Sequence, residues 1–202
     1  MTGGWRIAAC GVLWIALAQP PAVEVPPLTD AEVGAALACG ADPACRIPEV
    51  PFGGKWLVVT QGSITTNVGY ISQLARQAQQ RHAPLAIKDV SSRLRFHAWI
   101  VTAKGQAPTR MNYAAVQSVD RLLLFAAGPD GKPLERPIPP VYTERLTRDW
   151  GSAASPITTR SVTAYFDPAD IPAGDFSVVT IGTLTQWHEV RHASLVKAGL
   201  AR

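Results

Sequence analysis

The run Trp187-His188-Glu189-Val190-Arg191-His192 holds the residues best suited to chemistry. Two histidines four apart with a glutamate after the first spell a zinc signature. On a helix, positions i and i+4 lie about 6 Å apart, so His188 and His192 reach one ion. Glu189 then stands where it can take a proton from metal-bound water. On a strand the same four residues span roughly 13 Å, and no single ion bridges the two rings. The chemistry therefore depends on the backbone between Trp187 and Val196.

Two patterns compete there. As a helix, Leu184, Trp187, Val190, Leu195 and Ala198 share a face and Gly199 caps it. As a strand, His188, Val190, His192 and Val196 face one side. Trp187, Glu189, Arg191 and Leu195 face the other. Context favours the strand, because Asp175 to Gly182 reads as a strand and Gly182 to Gln186 reads as a hairpin connection. A zinc site also needs a third ligand. The ten residues after His192 contain no His, Glu, Asp or Cys, so that ligand must come from upstream, from His97 or His82. A zinc-dependent hydrolase with Glu189 as base is accordingly the alternative reading, and no cofactor is the expectation.

Other groups are weighed against simpler roles. Asp167, Asp170 and Asp175 offer oxygen ligands for calcium, but beside prolines they read as turn residues. Arg93, Arg95 and His97 alternate with Leu94, Phe96 and Ala98. The expected strand face of Arg93, Arg95 and Trp99 is basic and aromatic, suited to a protein partner or an anionic surface. No glycine-rich phosphate loop and no Gly-x-Ser-x-Gly elbow occurs.

The elements that must position these residues begin with an export signal. Arg6 precedes an apolar run, Ile7 to Ala18, and Ala16-Leu17-Ala18 ends it with small residues. Residues 1–18 are expected to be a cleaved signal peptide, too short to span a bilayer comfortably. Cys10 comes too early in that run for a lipoprotein box. No later stretch has membrane length. The formal net charge is +4, enough for weak attraction to anionic envelope surfaces but not a nucleic-acid footprint.

Residues 19–50 are expected to form a proline-rich tether and a short helix. Thr29-Asp30-Ala31-Glu32 is a capping box, Val33, Ala36 and Leu37 form the apolar stripe, and Gly40 offers a left-handed stop. In an oxidising compartment Cys39 and Cys45 pair and staple the end of this helix.

Residues 51–202 are expected to form one domain. Lys55 to Gly62 reads as a strand and Asn67 to Arg81 as an amphipathic helix ended by Pro84. Beyond it the period is two: Arg93 to Val101, then a strand and return around Pro129-Asp130-Gly131, then Ser161 to Phe166 and Asp175 to Gly182. Tyr142 to Ser155 reads as irregular or a single helical turn. The succession of strand, Asp-Pro, Ile-Pro-Ala-Gly and a strand opening on Phe176 resembles the sheet crossing of immunoglobulin-like and transthyretin-like β-sandwiches. It implies a mainly β antiparallel sandwich with one or two short helices. With no coherent catalytic set, the expected role is an exported, non-catalytic module, periplasmic or secreted, that binds an envelope protein or surface.

Overall fold

Thr29 opens the first helix as the sequence requires. Its side chain accepts the Glu32 N–H at 3.2 Å, and Glu32 accepts the Thr29 N–H at 2.8 Å, which satisfies two orphan groups of the first turn. Helix α1 spans Asp30–Ala41. It runs through Gly40, so that glycine is not the left-handed stop its position suggested. Its role is close approach: a Cβ there would lie 2.3 Å from the Ser72 carbonyl oxygen. The Cys39–Cys45 disulfide closes the loop after α1. Arg76 braces that loop by donating to the carbonyls of Cys39, Asp42 and Cys45.

The computed structural model describes residues 25–53, 60–105, 118–152 and 155–201, with backbone alone for 148–152 and 155–159. The expected signal peptide, most of the tether, and Lys55 to Val59 of the expected strand lie outside the described residues. Strands β1 (Val50–Phe52) and β2 (Gln61–Thr66) pair as a hairpin. Thr66 caps helix α2, Asn67–Gln80, close to the expected span. Strand β3 is Trp99–Lys104, β4 Val119–Ala126, β5 Tyr142–Ser152, β6 Ser155–Phe166, β7 Phe176–Gly182 and β8 Thr185–Val190. Helix α3 follows at His192–Ala198.

The described strands form two antiparallel sheets, ordered β1-β2-β3-β6-β5 and β4-β7-β8. The protein is therefore mainly β, with three helices among the described residues. Alternation along β3 and β6 makes the larger sheet the middle layer. Trp99, Val101, Val162, Ala164 and Phe166 join Leu122, Leu124, Phe176 and Val178 in a core between the sheets. Ile100 and Tyr165 point the opposite way, into a second core with Val33, Ala36 and Ile71 of the helices. Helix α1 thus belongs to the same packed body as the sheets.

Two strand expectations need correction. Residues Tyr142 to Ser155 are not irregular: they supply β5 and the start of β6, paired from Tyr142↔Tyr165 to Ser152↔Ser155. Charged residues at the edge of a sheet disguise such a strand, because only one face is buried. Arg93 to His97 is not strand. Ser92–Leu94 is a 3₁₀ turn, and Pro27 bridges Phe96 before β3 begins at Trp99.

Candidate functional site

The zinc signature straddles a strand–helix junction. Thr185–Val190 is strand, so the extended reading holds through Val190 and the helical one from His192 onward. His188 points between the sheets, its ring centroid 5.1 Å from that of Phe52 and Nε2 3.4 Å from Thr180 Oγ1. Burial pushes its pKa down, favouring the neutral ring. Glu189 projects to the opposite face and accepts from Arg191 Nε at 3.2 Å. His192 opens α3, and its N–H donates to Asp175 Oδ1 at 2.7 Å. His97 sits at the helix layer, 3.5 Å from Glu32, and His82 lies in the turn after α2, in the left-handed region at φ 56°. Among the described residues no three His, Cys, Asp or Glu side chains converge on a common point. The strand geometry and the opposed faces of His188 and Glu189 are the physical reason.

The aspartates of the β6–β7 loop do separate jobs. Asp167 caps a 3₁₀ turn by accepting the Ala169 N–H at 2.8 Å, and Asp175 caps α3. The expected face of Arg93, Arg95 and Trp99 is also divided. Trp99 is buried in the core between the sheets. Arg95 pairs with Asp30 at the start of α1. Arg93 alone of the three reaches an open surface, where it lies 3.5 Å from Glu144 and 5.5 Å above the Tyr142 ring.

That surface is a groove of about 840 Å³ on the helix side of the larger sheet, beyond the ground that α1 and α2 cover. Its floor is two rows of side chains running across the strands. Ser63 stands opposite Thr102, Thr102 opposite Thr163, and Thr163 opposite Glu144. Two residues along each strand, Gln61, Lys104, Ser161 and Leu146 form the next row. Ser63 Oγ and Thr102 Oγ1 share a hydrogen bond of 3.1 Å. Tyr70 from α2, Tyr142 from β5 and Arg93 wall the groove on the helix side, and Glu49 lies beside β1.

Glu144 organises the Arg93 end. It accepts from the Tyr165 hydroxyl at 3.3 Å and pairs with Arg93. Burial, and then the Glu144 charge, push the Tyr165 hydroxyl pKa up; the same two causes raise Tyr70. Both phenols therefore remain donors at neutral pH. Tyr142 stacks on Tyr165 at 5.6 Å, which fixes an exposed aromatic ring at the rim.

The sequence reading named Arg93 but missed Tyr142, Glu144, Ser63, Thr102 and Thr163. The signal for the first two was the alternation of Tyr142, Glu144 and Leu146 against Thr143, Arg145 and Thr147. The hydroxyl row has no local signal, since its members come together only through strand register. Compared with known proteins, the chain matches no family model, no curated protein and no solved structure.

Proposed function

We propose that the protein is an exported, non-catalytic module, periplasmic or secreted, that binds an envelope protein or surface through the open half of its larger sheet. The observation that carries this reading is the groove itself. It is walled by fixed tyrosines and floored by hydroxyls, and its most buried carboxylate interaction is already made, between Glu144 and the Tyr165 hydroxyl. Such a surface orients a ligand by hydrogen bonds and aromatic contact and needs no activated nucleophile. The Cys39–Cys45 disulfide accords with an oxidising compartment. Among the described residues no helix is long and apolar enough to cross a membrane. The same proposal takes the paired sheets as an immunoglobulin-like sandwich extended by helices. Its support is the crossing from β6 to β7, which opens on buried Phe176.

Co-sedimentation of the purified chain with isolated cell envelopes tests the reading. Retention is expected, weakened several-fold by Arg93→Ala and by Thr102→Val, and unchanged by Arg95→Ala. Absence of retention removes the module reading. Equal retention of all variants moves the site away from the groove.

A further inference from the structure

We infer that the groove takes a short carbohydrate chain without strong net charge. This rests on the binding-module reading and names the ligand class of the same site. The first argument is that the groove is a sheet face. Strands β2, β3 and β6 are each paired on both sides, so their backbone groups are engaged within the sheet. A ligand lying across those strands meets mainly side chains, with backbone presented at Gly62. Extended peptides are recognised mainly by backbone pairing at a sheet edge, which a face does not offer.

The second argument is the kind of side chain presented. Ser63, Thr102 and Thr163 stand side by side on neighbouring strands about 4.8 Å apart, with the Ser63 and Thr102 hydroxyls drawn together in a 3.1 Å hydrogen bond. One row along, the Ser161 hydroxyl and the Gln61 amide flank Lys104. Each hydroxyl both donates and accepts, as the hydroxyls of a sugar do, so matching is insensitive to which partner supplies the proton. Tyr142 adds a fixed ring and phenol at the rim, with Arg93 over the ring, so the C–H face of a sugar packs against the paired ring and guanidinium. Rings, hydroxyls and a carboxylate acceptor in one shallow trough are the requirements for carbohydrate recognition.

Charge completes the case. Arg93 is matched by Glu144, and Lys104 shares the groove with Glu49. Arg145 is turned away, its Nε donating to the Asp120 carbonyl at 2.9 Å. With Arg93 and Lys104 set against Glu49 and Glu144, the groove carries none of the net positive charge that a phosphate polymer requires. The volume, about 840 Å³, lies within the range of small-molecule and oligomer sites.

The test uses the full chain on a printed array of neutral hexose, N-acetylhexosamine and uronic-acid oligosaccharides. Titration calorimetry with the soluble form of the best-retained oligosaccharide follows. Retention of a neutral or N-acetylated class is expected, with affinity reduced about tenfold by Tyr142→Ala and by Thr102→Val. Trp187→Ser, on the outer face of the smaller sheet, should bind as the parent does. Glu144→Gln serves as a shape-conserving variant should Tyr142→Ala fail to fold. Retention of no class, or equal affinity of parent and groove variants, overturns the inference. Envelope binding that survives muramidase digestion but not proteinase treatment also overturns it, and leaves the module reading standing with a protein partner.

Discussion

Replacing Gly40 by alanine should destabilise the protein even though the position is helical. Alanine in place of a helical glycine ordinarily gains about 0.5–1 kcal/mol, because glycine loses more backbone freedom on folding. Gly40, however, is pressed onto α2. A Cβ would stand 2.3 Å from the Ser72 carbonyl oxygen, 2.5 Å from Ala75 Cβ and 3.1 Å from the Arg76 nitrogen. Two of these are backbone atoms of a helix held by its own hydrogen bonds, so no rotamer change relieves them. The helices must part by roughly 1 Å to restore ordinary contact. Overpacking of this kind costs about 1–3 kcal/mol, and contacts this short to backbone atoms put it toward the upper end, which leaves a net loss of about 1–2.5 kcal/mol after the propensity gain. Gly34 of the same helix is the internal comparison: its Cβ would meet only Ile87 Cδ1 at 3.7 Å. Gly34→Ala should therefore stabilise by about 0.5–1 kcal/mol. In urea denaturation the midpoints should move in opposite directions with slopes unchanged. A Gly40→Ala protein as stable as the parent would refute the packing argument.

Further expectations follow from single contacts. With Cys39 and Cys45 six positions apart, chain entropy assigns the bridge about 2 kcal/mol; the double serine variant should lose that much, and the parent under reductant should match it. His188 has a depressed pKa caused by burial. Its stabilising contribution is thus full above the ordinary histidine range and is lost as pH falls from there toward the depressed folded value. A melting temperature that declines between about pH 7 and 5 should decline less steeply in His188→Gln. Removing the Asp175 carboxylate orphans the His192 N–H, so Asp175→Ala should cost about 1–2 kcal/mol and speed amide exchange in the first turn of α3, with Asp175→Asn losing less.

Features that depend on a few consecutive residues were legible in the sequence. The capping box at Thr29, helix 67–80, the disulfide and the strand opening on Phe176 all declare themselves locally. What was hidden depends on partners remote in the chain. The Arg93-to-Val101 alternation fits a strand, yet the Leu28 N–H donates to the Arg95 carbonyl and the His97 N–H to the Pro26 carbonyl, so the strand begins only at Trp99. Trp99 then falls on the inner face, apart from the arginines. Tyr142 to Ser152 carries enough charge to pass for loop, and its strand character comes from pairing along β6. The histidine motif was ambiguous because both of its readings hold, one on each side of Arg191.

The existence of the groove follows from dimensions. Helices of 12 and 14 residues, each about 10 Å wide with a 1.5 Å rise, cover about 400 Å² of sheet. The five strands of the larger sheet offer about 600 Å² per face at ~3.3 Å per residue and ~4.8 Å between strands. The helix layer therefore leaves roughly a third of that face bare. Had the bare part carried the apolar residues of the covered part, such as Ile100 and Tyr165, it would be a site of aggregation. The register instead places Ser63, Thr102 and Thr163 there, immediately beside the row holding Ile100 and Tyr165. The change from apolar to hydroxyl rows occurs at the edge of the helix layer, within one step along the same strands. A face meant only to meet water tolerates long charged side chains in any order. Short hydroxyls held beneath fixed tyrosines leave room above themselves, and that room is what a ligand needs.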